Sequence, residues 1–105
     1  MDKVFEALSS QVRRKILAYL SATDLTAGEI AQRFDISKPS VSKHLSILEN
    51  ANLIRGEKKG QFIHYSLVRE SLVNTLNGFV AEVCPVAGPI RRESRARAAV
   101  RARRN

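Results

Sequence analysis

A chain of 105 residues, 44% hydrophobic and 27% charged, has room for one domain and a modest apolar core. No run approaches the roughly 20 apolar residues of a membrane span, and Met1-Asp2-Lys3-Val4-Phe5-Glu6 lacks the basic and apolar regions of a signal peptide, so a soluble cytoplasmic protein without membrane insertion is expected. The formal charge of +8 is unevenly placed: Arg91, Arg92, Arg95, Arg97, Arg101, Arg103 and Arg104 against Glu93 give residues 91–105 a net +6 and leave +2 for residues 1–90, so a polyanionic partner must be argued from where charge sits.

Asp2 can cap a short first helix carrying Val4, Phe5 and Leu8, which ends near Ser9-Ser10. Ser10 caps a second helix, in which Val12, Ile16, Leu17 and Leu20 make a broad apolar arc. Arg13 lies inside that arc, which leaves two readings open: a stem over the core with its head on a carboxylate, or a phosphate contact. Thr26-Ala27-Gly28-Glu29 matches a capping box and opens a third helix through Phe34, with Ala27, Ile30, Ala31 and Phe34 on its buried stripe. Asp35-Ile36 is long enough only for a tight turn, which is helix-turn-helix spacing.

The next stretch, Ser37-Lys38-Pro39-Ser40-Val41-Ser42-Lys43-His44-Leu45-Ser46-Ile47-Leu48-Glu49, organises the chain. Ser37 is a good N-cap, and Pro39 sits in the first turn, where its missing N–H removes no helical bond. At about 100° per residue Val41, Leu45 and Leu48 share one narrow face, and Lys43 points the opposite way among Pro39, Ser40, Ser46 and Ile47. The outward face is short-armed, hydroxyl-rich and free of acid until Glu49, which suits hydrogen bonding to base edges or phosphates. It reads as a DNA recognition helix, against the plainer alternative of a solvated surface helix.

After Asn50-Ala51-Asn52 the period changes. Residues 53–57 and 61–67 read as two strands around Lys58-Lys59-Gly60, with the glycine supplying the turn. Residues 69–83 return to helical spacing, with Leu72, Leu76, Phe79 and Val83 on one seam and Val80 beside it, like one side of a helix-helix interface. Pro85, Gly88 and Pro89 break that helix. The expected division is a folded DNA-binding and dimerisation domain over 1–84 and a flexible Arg-rich tail over 85–105. The expected fold is mainly α with a small β-hairpin, a winged helix-turn-helix of order α-α-α-α-β-β-α.

Val4-Phe5-Glu6-Ala7-Leu8-Ser9, Val12 to Leu17, Leu25 to Ala31, Ser37 to Leu48 and Gly60-Gln61-Phe62-Ile63-His64-Tyr65-Ser66-Leu67 together resemble the ArsR family of bacterial winged-helix repressors, over roughly residues 2–83. The likeness is to its autorepressor-like branch that lacks metal ligands. It implies a cytoplasmic homodimer whose first and last helices form the interface, through Val4, Phe5, Leu8, Leu72, Leu76, Phe79, Val80 and Val83. Two recognition helices would then enter successive major grooves of a pseudo-palindromic operator, about 34 Å apart. Where metal sensors of the family place thiolates at the start of the third helix, this chain has Thr26 and Gly28, and residues 68–83 hold no histidine. No cofactor or metal is therefore expected, and control would fall to a partner protein or to the repressor's own concentration.

The residues expected on double-stranded DNA are Lys38, Ser40, Ser42, Lys43 and His44 on the recognition helix and Lys58, Lys59 and Gln61 at the hairpin. His44 borders the apolar face, so an edge histidine bonded to backbone stands beside a phosphate contact. Ile47 reads either as a thymine-methyl contact or as packing on the hairpin. The hairpin lysines and the tail arginines could serve solubility alone. Cys84, the one cysteine, is read as a packing residue, with a redox role between subunits left open. A non-sequence-specific nucleoid or RNA-binding protein is the competing function. Catalysis is not expected, because His44 and His64 have no acid or nucleophile at motif spacing and no phosphate-binding glycine loop is present.

Overall fold

The computed structural model describes residues 2–84, in the order α1 (Asp2–Leu8), α2 (Gln11–Leu20), β1 (Leu25–Thr26), α3 (Ala27–Ala31), α4 (Lys38–Asn50), β2 (Ile54–Lys59), β3 (Phe62–Leu67) and α5 (Arg69–Val83). The chain divides into two units at Leu72 and Val73, within α5. None of the described helices is long and apolar enough to cross a membrane.

The helix starts follow the capping chemistry. Ser10 Oγ accepts the N–H of Arg13 at 3.2 Å, and Ser37 Oγ accepts that of Ser40 at 3.3 Å. At Thr26 the capping box is complete: Glu29 N–H donates to Thr26 Oγ1 at 3.2 Å, and Thr26 N–H donates to the Glu29 carboxylate at 2.9 Å. Those bonds hold the Glu29 carboxyl below its ordinary pKa. At α1 the expectation shifts by one residue, since Asp2 is already helical and acts on the dipole from the first turn.

Three expectations about element boundaries need correction. The third helix ends at Ala31, not Phe34, because the next bonds close three residues back, from Arg33 N–H to Ile30 O and from Phe34 N–H to Ala31 O. That tightening turns Phe34 and Ile36 back onto the core before α4 begins. The sheet has three strands instead of two, in the order β1-β3-β2, all antiparallel. Leu25 pairs with Tyr65 and Thr26 with His64, so the residue that caps α3 also ends a strand. In the hairpin, Lys58 and Lys59 belong to β2, and only Gly60 and Gln61 turn the chain. Gly60 has a φ of 67°, which a two-residue hairpin demands of its first turn position.

The core is built from Ile16, Ile30, Val41, Leu45, Leu48, Leu53 and Ile54, each buried to within 2% of full burial. Each such side chain contributes roughly 1.5–3 kcal/mol. Helix α4 crosses its centre, packed on α1, α2, α3 and β2. It stops in a Schellman turn: Leu53 N–H reaches Leu48 O at 3.0 Å and Asn52 N–H reaches Glu49 O at 2.9 Å, with Asn52 at a φ of 61°. Asn52 also donates its side-chain amide to Ser71 Oγ at 3.0 Å.

Arg13, 9% exposed, decides how the first helices sit. The expected carboxylate partner is replaced by backbone: Nε donates to Ala7 O at 2.9 Å and Nη2 to Glu6 O at 3.0 Å, while Nη1 lies 3.1 Å from His44 Nδ1. The guanidinium thus fills the negative end of the α1 dipole, where free carbonyls collect. Arg14 adds a bond to Leu8 O at 2.7 Å. We expect Arg13→Ala to lower the unfolding free energy by roughly 2–4 kcal/mol in urea titrations, because Ala7 O and His44 Nδ1 lose their donor while Glu6 O keeps only its bonds from Ser9, and Arg13→Lys to recover only part of it.

Candidate nucleic-acid interface

Helix α4 separates its faces as the sequence period requires. Val41, Leu45 and Leu48 are buried, and Lys38, Pro39, Ser40, Ser42, Lys43 and Ser46 are exposed. Ser37 Oγ donates to Ser40 Oγ at 3.1 Å, which leaves the Ser40 hydroxyl hydrogen available to an outside acceptor. Ile47 packs on the core and lines a cleft with Lys3, Glu6 and Asn50 on the α1 side. Glu49, the first acid of the helix, turns toward the hairpin base, where its carboxylate lies 3.3 Å from where a side chain on Gly56 would start. Tyr65 lies beside it, its phenol pushed up by burial and then by the Glu49 charge.

His44 is half-buried, and an arginine can only donate, so Nδ1 accepts and the ring is the neutral tautomer with hydrogen on Nε2. Burial lowers its pKa from the ordinary 6.5, and the charges of Arg13 and Lys43 lower it further. The imidazole is therefore a joint between α4 and α2, with Nε2–H as its remaining donor.

Lys58, Lys59 and Gln61 are exposed at the end of the hairpin. Strand alternation puts Ile63 and Tyr65 on one face of β3, and Phe62 and His64 on the other. Phe62 was not among the residues expected at this surface. It lines a notch of about 250 Å³ with Lys38 and Ser42 of α4 and Thr26, Ala27 and Gly28 at the start of α3. Its position directly after a two-residue turn was the one sequence signal that could have marked it.

A helix-turn-helix domain model matches residues 8–57, from the end of α1 into the first hairpin strand. The transcriptional repressor SdpR of Bacillus subtilis is 52% identical over 77 residues, covering 73% of this chain and 86% of that protein. A crystal structure of an ArsR family transcriptional regulator superposes with a TM-score of 0.72 at 32% identity, over 77% of this chain and 88% of its own. The chain belongs to the ArsR family. A homodimeric winged helix-turn-helix DNA-binding domain from Mycobacterium bovis shares the fold, with a TM-score of 0.64 at 23% identity over 77% of each chain.

Within this ArsR-family chain the residues expected at a dimer interface differ in exposure. Val4 is 5% exposed and belongs to the protomer core, so it seats α1 and offers no surface. Phe5, Leu8 and Leu72 are half-buried, while Leu76, Phe79, Val80 and Val83 are exposed. Cys84 is exposed and unbridged, not packed as expected. No three His, Cys, Asp or Glu side chains come together as a metal site among the described residues. The tail expected over 85–105 lies outside the described residues.

The His44 joint makes stability depend on acid. Its folded-state pKa is below 6.5, so the unfolded chain takes up the proton first on acidification. The contribution is complete above pH 6.5 and declines as pH falls below it, toward the folded-state value. Urea midpoints measured across that range should fall for the native chain, and should fall less for His44→Asn, whose amide oxygen can occupy the Nδ1 position without titrating.

Proposed function

We propose that the chain is a sequence-specific transcriptional repressor that binds a pseudo-palindromic operator as a homodimer. The observation that carries this reading is the exposed, acid-free arc of α4 standing opposite its buried face, beside a hairpin that ends in two lysines. Lys43 at the centre of the arc takes a base edge or adjacent phosphate, Ser40 and Ser42 donate hydroxyl hydrogen bonds, and Lys38 meets phosphate near the helix N-terminus. Lys58, Lys59 and Gln61 contact the backbone or the neighbouring minor groove. His44 adds at most its Nε2–H.

The dimer reading draws support from the homodimeric state of the Mycobacterium bovis domain and from the apolar side chains exposed on α5. Phe5, Leu8, Leu72, Leu76, Phe79, Val80 and Val83 are its candidates. Thr26 and Gly28 offer no thiolate at the start of α3, which favours control by a partner protein or by concentration over control by a metal. The repressor would work in the cytoplasm, on the nucleoid, with Arg91 to Arg104 adding sequence-independent attachment.

Selection from a random pool of duplexes should return one inverted repeat with half-sites about 34 Å apart. Recovery without a consensus would favour a general nucleoid protein instead. Lys43→Ala should weaken binding to the selected duplex by about 1–3 kcal/mol in a mobility-shift titration while gel filtration still shows the dimer. Deleting residues 91–105 should weaken binding to every duplex alike, lowering the salt slope by about 0.9 for each phosphate that is no longer neutralised.

A further inference from the structure

One sugar-phosphate strand runs between a major groove and the minor groove beside it, so a protein with a helix in one and a hairpin in the other must leave room for that strand. The notch of about 250 Å³ between α4, the start of α3 and the hairpin lies where this room is needed. Its walls have opposite chemistry. Lys38 brings a cation and Ser42 a hydroxyl, both exposed on α4, and across from them stands the Phe62 ring. Ala27 and Gly28 contribute almost no side chain, and Thr26 Oγ1 accepts the Glu29 N–H, which leaves its hydroxyl hydrogen for a further acceptor. None of the lining residues is acidic.

Phe62 is 55% exposed, and nothing about its strand requires an aromatic there. Its neighbours Ile63 and Tyr65 pack together over Gly56 on the opposite face, so Phe62 adds nothing to that contact. An aromatic left in water beside a lysine and a serine matches a ligand that is anionic on one side and apolar on the other. Deoxyribose phosphate has that pattern: charged oxygens at the phosphate and C–H groups on the sugar.

We propose that the notch seats one deoxyribose-phosphate segment of the operator, with Lys38 and Ser42 on its phosphate and the Phe62 ring against its sugar. This rests on the DNA-binding reading above and adds Phe62 to it as a residue that positions the hairpin without reading bases. Its loss therefore affects all duplexes alike, whereas loss of Lys43 affects the selected sequence.

The test compares native protein, Phe62→Ala, Phe62→Tyr and Lys43→Ala on two probes, the selected duplex and a scrambled duplex of the same length. Phe62→Ala should weaken binding to both by about tenfold, the equivalent of roughly 1.4 kcal/mol. Phe62→Tyr, which keeps the ring, should bind like the native protein, and thermal melting should show all variants folded. Native affinity of Phe62→Ala for both probes would overturn the notch while leaving the α4 reading intact. Equal native affinity for the two probes would instead overturn sequence reading by α4, and the Phe62→Ala comparison would still judge the notch.

Discussion

The buried guanidinium of Arg13 fixes the geometry on which the interface depends. Helix α1 has seven residues, too few to hold its shape alone, and its buried Ala7 carbonyl would go unpaired without Arg13. One planar fork takes Glu6 O, Ala7 O and His44 Nδ1 together. A cation without a carboxylate would be costly in an apolar interior; here the dipole of α1 and three acceptors offset the loss of water. Because the third acceptor lies on α4, the same side chain that closes α1 also ties it to the helix whose buried Val41, Leu45 and Leu48 turn Lys43 outward.

Much of this was legible in the sequence because it is local. The caps at Ser10, Thr26 and Ser37, the faces of α4 and the span of α5 depend on residues three or four positions apart, and those spacings survive folding unchanged. What escaped reading is set at long range. Strand β1 is two residues whose pairing partners, Tyr65 and His64, lie on the far side of α3 and α4 in the sequence, and no period can announce so short an element. The partners of Arg13 are hidden for a related reason: a carbonyl is present at every residue and leaves no compositional trace. At the hairpin the lysines were expected in the turn, but Gly60 and Gln61 suffice for it, so strand pairing extends through Lys59 to Phe62.

The two ends of α4 have different tasks. Its first two turns present Lys38, Ser40, Ser42 and Lys43 outward, while its last turn directs Glu49 toward the hairpin base and closes on Asn52. The left-handed Asn52 lets Leu53 follow Leu48 directly into the core, and its amide reaches Ser71 at the start of α5. The negative charge of the helix is thereby kept at the end remote from Lys38. An anion approaching the N-terminal half meets hydroxyls, ammonium groups and the positive end of the dipole.

The hairpin turns on two residues, Gly60 and Gln61, and pairing runs to the last residue on each side. A longer loop would have to surrender conformational freedom whenever a duplex docked against it, a penalty of roughly 1–2 kcal/mol for each residue immobilised. Here that freedom was relinquished when the polypeptide folded and paired through Lys59 and Phe62. On the proposed function, recognition at this end of the molecule would be closer to fitting a preformed template than to wrapping a strand, and the lifetime of the complex would owe correspondingly more to the fit itself than to order regained.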